Sequence, residues 1–205
     1  TKEQDLYLVL DYKTGSTSLL LPEIRHGLKM QLLLYPFVVR SLLSDTETFP
    51  AGMLYAPVVN PVVKSDVRLD DHTLHQKVAN GMLIDDVEIL KKIDKMSDHI
   101  CISFNKGGSL SKSSAQFIRS REEFEQLLSY LPVLIRETAE EILHGNIRVS
   151  PYRFQNRNAC TFCAYRSVCA FEPDLGRGDC YRDIADNAQT AMEEIAQIIM
   201  QGGEE

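Results

Sequence analysis

The chain has 205 residues, 44% of them hydrophobic and 25% charged, with no repeated tract. That is enough for one substantial core plus an appendage, and it excludes collagen-like, disordered and low-complexity classes. No apolar run approaches the roughly 20 residues that cross a bilayer, and the first five residues lack the basic-then-apolar order of a secretory signal, so a soluble cytoplasmic protein is expected. A net charge of −7 offers no basic excess for a phosphate backbone, and contact with nucleic acid then has to rest on local sites or metal ions.

The apolar run Leu6–Leu10 leads into Asp11 and ends at Gly15, and reads as a central strand buried on both faces. It begins so near residue 1 that the chain is expected to be a piece cut inside a domain. From Pro22 to Leu43 the apolar residues Ile24, Leu28, Leu32, Tyr35, Val39 and Leu42 recur at helical spacing, predicting one long helix interrupted or kinked near Pro36. Met53–Val59 reads as a strand, with Pro57 arguing for an edge position or an early end. A polar, acidic stretch runs from Lys64 to His75.

Asp85 or Asp86 caps a short helix starting at Val87, and Lys91, Lys92 and Lys95 read as its solvated face. Ile100–Phe104 is expected to be a strand entering a hairpin turn at Asn105–Gly108. Ser120-Arg121-Glu122-Glu123 is a capping box. It opens a helix whose apolar side carries Phe124, Leu127, Leu128, Leu131, Leu134, Ile135 and Ile142, with Gly145 near its stop. An irregular cysteine-bearing segment follows from about residue 146 to 182, then a final helix marked by Ile184, Ala188, Ala191, Ile195 and Ile198. The order of elements means α/β or α+β, divided into a core over residues 1–145 and a cysteine-bearing segment over 146–205.

Alternate side chains of a strand share a face, so Asp11 and Lys13 project together with Tyr12 pointing away. A carboxylate oxygen suits Mg2+ and a lysine beside it can orient a water, although a simple strand-end salt bridge has the same pattern. Gln31 and Tyr35, spaced i, i+4, stand on one helix face with Gly27 a turn earlier; the alternative is a Gln and a Tyr hydrogen-bonded inside the core. The strand ending Asp-Tyr-Lys-Thr-Gly, followed by a helix reading Gly27-Leu-Lys-Met-Gln31-Leu-Leu-Leu-Tyr35, resembles the RecB-type nucleases of the PD-(D/E)XK superfamily. The resemblance implies a restriction-endonuclease-like α/β core, a central mixed sheet flanked by helices. It also implies Asp11 as an Mg2+ ligand, Lys13 as the catalytic lysine, and Gln31 and Tyr35 lining the active site.

Five cysteines is an odd number, and three of them form Cys160-x2-Cys163-x5-Cys169. Such spacing suits an iron-sulfur cluster or part of a zinc site, with three unrelated buried thiols as the remaining alternative. The local sequence from Asn158 to Cys169 resembles the carboxy-terminal cluster motif in the B-subunit family of AddAB- and RexAB-type helicase-nucleases. In that family these three cysteines and a fourth from far upstream hold a [4Fe-4S] cluster. Cys180 is the nearby candidate to replace the missing ligand, and Cys101 reads as a core thiol. The family's metal-binding Asp on the preceding strand, and its upstream catalytic His or acid, have no place in the residues before Leu6. His26 reads as a surface helical residue, and Arg153, Arg157 and Arg166 as DNA-phosphate contacts or structural partners of an anionic cluster.

The resemblance therefore implies an Mg2+-dependent exonuclease domain that acts on DNA in double-strand break processing and recombinational repair. Its parent polypeptide would pair with a helicase-nuclease A subunit, and the isolated chain is expected to be inactive. There is no G-x-x-x-x-G-K-[ST] loop, so ATP hydrolysis is expected elsewhere. The rival reading is a non-catalytic DNA- or partner-binding scaffold with a structural zinc or iron-sulfur site.

Overall fold

The structure is a computed structural model that describes residues 5–15, 17–43, 48–58, 78–94, 99–173 and 180–202. The acidic stretch from Lys64 to His75, Val59 and Lys95 lie outside these residues. A four-stranded sheet of order β1-β2-β3-β4 forms the centre, from β1 (Asp5–Lys13), β2 (Thr48–Pro57), β3 (Asn80–Ile84) and β4 (Ile118–Arg119). β1 runs parallel to β2, β2 antiparallel to β3, and β3 parallel to β4, so the sheet is mixed, as the sequence implied.

Alternation along the strands feeds two cores. Phe49, Ala51, Met53 and Tyr55 of β2 and Met82 and Ile84 of β3 join one cluster; Leu54 and Leu83 point the other way into a second. The first core is closed by α1 (Leu21–Arg25), α2 (Gln31–Leu42), the buried half of α4 (Arg121–Leu143) and α6 (Ala188–Gly202). Leu90 of α3 (Val87–Ile93) closes the second, together with Ile100 and Ile102. Asp86, not Asp85, caps α3, its Oδ1 accepting from the backbone N–H groups of Glu88 and Ile89. The predicted capping box opens α4: Glu123 N–H donates to Ser120 Oγ at 3.2 Å, and Ser120 N–H donates to Glu123 Oε2 at 2.8 Å.

Several expectations are corrected. For the expected central strand, only one edge is paired among the described residues: β1 pairs with β2 alone, and Leu6, Leu10 and Tyr12 are exposed. A continuous apolar run has the same pattern whether one or both edges are paired, so the run did not distinguish the two. The long helix is two helices, and the break falls at Gly27 rather than Pro36. Gly27 takes φ +73°, its N–H donates to the Ile24 carbonyl, and Leu28 N–H donates back to the Glu23 carbonyl, a Schellman stop that a side-chain-bearing residue resists. Pro36 sits inside α2, its carbonyl accepting from the Tyr7 hydroxyl.

β2 is interior to the sheet, although it ends at Pro57 as expected, and β3 beside it went unpredicted because Asn80-Gly81 looks like a turn. Ile100–Phe104 makes only isolated bridges, to Ala79 and Leu110, ahead of the Asn105–Gly108 turn. On α4, Leu134 packs on the core but Ile135 and Ile142 are exposed, because burial along this helix ends near Leu134.

After α4 come β5 (Tyr152–Phe154), β6 (Arg157–Asn158), α5 (Arg166–Cys169) and β7 (Arg182–Asp183); the three strands form a small sheet of order β6-β5-β7. No helix among the described residues is long and apolar enough to cross a membrane.

Candidate functional site

Asp11 and Lys13 leave β1 on the face that carries Val9 and meets α2, and Tyr12 points away. Their ion pair is 2.7 Å from Lys13 Nζ to Asp11 Oδ2, with the Asp11 side chain only 14% exposed. Lys13 Nζ also donates to Gln31 Oε1 at 2.8 Å, and Gln31 Nε2 donates to the Tyr35 hydroxyl oxygen at 2.7 Å. An ammonium has donors only, so it fixes the amide's orientation: oxygen toward Lys13, nitrogen toward Tyr35. Tyr35 then keeps its own proton to donate, and Lys13, which hydrogen-bonds Gln31 and meets Asp11 Oδ2 as an ion pair without hydrogen-bond geometry, keeps N–H bonds beyond the one given to Gln31.

Gln31 and Tyr35 stand on the exposed side of α2 while Leu32, Leu33 and Pro36 turn inward, so the alternative of two polar groups buried in the core is excluded. Below the lysine lies Tyr55, paired with Asp11 across β1 and β2, its ring centroid 5.4 Å from Lys13 Nζ. Burial pushes the Tyr55 phenol above its ordinary value, and the negative charges of Asp11 and Glu23 add to the shift.

The second constellation is the cysteine segment. Asn158 Oδ1 accepts from Cys160 N–H at 2.9 Å and Thr161 Oγ1 at 3.2 Å, shaping the turn into Cys163, and α5 carries Cys169. Cys160, Cys163 and Cys169 line one cavity of about 490 Å³ together with Arg153, Arg166, Phe171 and Tyr181. Cys180 is exposed and does not line that cavity. Cys101 is half-buried, and burial pushes its thiol up to about 11.

Two of the three arginines are engaged by carboxylates: Arg153 clasps Asp183 with two bonds at 2.6 and 2.9 Å, and Arg157 Nη2 donates to Glu23 Oε1 at 3.0 Å. His26 is not a surface residue. It is half-buried as the C-cap of α1, where burial and then Arg25 lower its pKa. Lys91 pairs with Glu88 at 3.3 Å on α3.

A sequence model of the PD-(D/E)XK nuclease superfamily matches residues 1–170. The chain belongs to that superfamily. Several bacterial proteins, each named as the B subunit of an ATP-dependent helicase/deoxyribonuclease, are similar to this superfamily member over most of its length. The one from Clostridium kluyveri (strain NBRC 12016) is 32% identical over 192 residues, covering 88% of the chain and 16% of the relative. That of Thermoanaerobacter sp. (strain X514) is 33% identical over 184 residues, 84% of the chain and 16% of the relative. That of Clostridium novyi (strain NT) is 28% identical over 216 aligned residues, 100% of the chain and 18% of the relative. The chain thus spans about a sixth of the length of the relatives it matches.

PD-(D/E)XK nucleases usually work with a divalent metal, and the residues present fit one in part. Asp11 supplies a hard oxygen donor, and Lys13 is already held against it. Among the described residues, no three His, Cys, Asp or Glu side chains converge to hold a metal ion. The three thiols on one cavity wall with Arg153 and Arg166 fit an anionic thiolate-bound group in donor chemistry. One residue of this superfamily member was missed by sequence reasoning: Glu23, 2% exposed among Leu21, Pro22 and Ile24. An acid inside an otherwise apolar helical turn was the signal available.

Proposed function

We propose that this chain is the nuclease domain of the B subunit of a bacterial helicase-nuclease, hydrolysing DNA phosphodiester bonds as a metal-dependent exonuclease during double-strand break processing and recombinational repair. The observation that carries the reading is Lys13 held between Asp11 at 2.7 Å and Gln31 at 2.8 Å, on the solvent-facing side of α2. Asp11 would hold Mg2+, which when bound offsets the negative charge that develops on the phosphate and lowers the pKa of a water. An N–H of Lys13 not used by Gln31 orients the attacking water or a phosphate oxygen, Gln31 keeps the lysine in place, and the Tyr35 hydroxyl donates a hydrogen bond to the strand being cut.

Cys160, Cys163 and Cys169 would hold a [4Fe-4S] cluster, with a fourth cysteine from elsewhere in the full-length protein; within residues 146–205 this cluster orders the part that carries the thiols, while α6 is held by the core. With a net charge of −7, affinity for DNA comes mainly from the A-subunit partner, the remainder of the full-length protein and the metal. A cytoplasmic location follows from that role.

The test is made in the full-length protein, assembled with a helicase partner whose own nuclease site is inactivated. Asp11→Ala and Lys13→Ala are each expected to lower release of acid-soluble product from labelled single-stranded DNA by about 10³-fold, within the range for losing a positioned proton-transfer or charge-stabilising group. ATP-driven unwinding should stay at the parental rate. Normal cleavage by Asp11→Ala returns the chain to the non-catalytic scaffold reading.

A further inference from the structure

Glu23 is the most deeply buried carboxylate among the described residues, and nothing in the proposed chemistry uses it. A carboxylate removed from water needs compensation, and here that comes from another region. Arg157 of β6 reaches over from the cysteine-bearing segment and donates Nη2 to Glu23 Oε1 at 3.0 Å, while Oε2 has no hydrogen-bond partner among the described residues. The two residues are 134 positions apart in sequence.

Each end of this link is tied to one of the two constellations. On the cysteine side, Asn158 follows Arg157 directly and shapes the Cys160 turn through its Oδ1. On the core side, the backbone carbonyl of Glu23 accepts Leu28 N–H at 2.8 Å, closing the stop at Gly27. Soon after that stop, α2 begins with Gln31, the residue that holds Lys13. The placement of Glu23 therefore sets the turn from which Gln31 is presented.

We propose that the Glu23–Arg157 ion pair is a positioning device, through which the cysteine-bearing segment holds Gln31 against Lys13 in the nuclease site. Neither residue touches the reacting atoms. The inference rests on the nuclease reading above, and it adds that the cysteine segment sets the chemical rate through one buried contact.

The experiment uses the full-length protein in its complex, with the partner's nuclease site inactivated, and measures kcat and KM for single-stranded DNA. Arg157→Gln is expected to lower kcat by about 10- to 100-fold, the cost of a small misplacement of a catalytic group, and to leave KM within about twofold. Arg157→Lys restores a single charged donor to Glu23 and is expected to recover most of that loss. An unchanged kcat in Arg157→Gln overturns the proposal. So does a raised KM with kcat held, which would make Arg157 a DNA-phosphate contact, and so does an equal loss in the Lys and Gln variants.

Should Arg157→Gln fail to fold, Glu23→Gln carries the same test. It keeps the shape of the side chain and leaves half-exposed Arg157 to water; a reduced kcat at constant KM supports the link, and a parental kcat overturns it. Asp11→Ala is run beside these variants. If it cuts normally, the nuclease reading itself fails; if it is dead while Arg157→Gln cuts like the parent, the positioning role alone fails.

Discussion

The core and the cysteine-bearing segment are held together by different physics. In the core, Leu32, Leu33, Met53, Leu83, Phe124 and Leu127 are completely shielded from water, and each buried side chain of this kind contributes about 1.5–3 kcal/mol. From Gln155 to Phe171 no residue is buried, and Phe162 stands 98% exposed. The polar links within the segment, such as Arg153 with Asp183, lie at the surface, where ion pairs contribute little, and its Arg157 reaches out of it to Glu23 of the core. A stretch with so little apolar burial has to draw its order from bonds of another kind, and in the proposed function thiolate–metal bonds at Cys160, Cys163 and Cys169 supply it.

The sharpest way to break that contrast is through the thiols. On the proposed cluster assignment, Cys163→Ser in the full-length protein is expected to lower iron content and open residues 146–173 to protease, because binding free energy at such a site is folding free energy; the core should survive as a resistant fragment on a gel. Unchanged iron and unchanged digestion would mean that the segment is ordered without its thiols. Next in size is a matched pair of aromatic deletions. Phe124→Ala, emptying a site in the first core, should cost about 3–5 kcal/mol in urea unfolding, and Phe162→Ala should stay within about 0.5 kcal/mol of the parent. Equal losses would show that the exposed ring is covered in the working protein.

A smaller effect is expected at the start of α4. Ser120→Ala removes the cap that accepts Glu123 N–H and should lower core stability by about 1 kcal/mol, with no change in iron content. The last effect is a pH dependence to which Cys101 contributes. Its folded thiol titrates at about 11, whereas the unfolded thiol titrates at about 8.5. The unfolded state therefore loses its proton first, and stability declines as pH rises from about 8.5 to 11. Urea midpoints measured across that window should fall in the parent and stay flatter in Cys101→Ala. In cluster-free protein at pH 8, an alkylating reagent should label exposed Cys163 and Cys169 before Cys101.

What the sequence determined by itself is local. A period of two puts Asp11 and Lys13 on one face, a period of 3.6 puts Gln31 and Tyr35 on another, and the Ser120–Glu123 box and the Asp86 cap set where helices begin, because each depends on residues a few positions apart. Tertiary structure decided what depends on distant partners. Whether Leu6–Leu10 lies inside a sheet or at its edge depends on which strands pair with it, and how far the apolar side of α4 is buried depends on how much of it α6 and the sheet cover. The break at Gly27 was also invisible, since a glycine between two apolar stretches of helical period carries no mark of the φ it will adopt. Glu23 meeting Arg157 across 134 positions was beyond any periodicity, because a buried charge is stabilised by whatever opposite charge the fold brings to it, and only the packing of α1 against β6 names that residue.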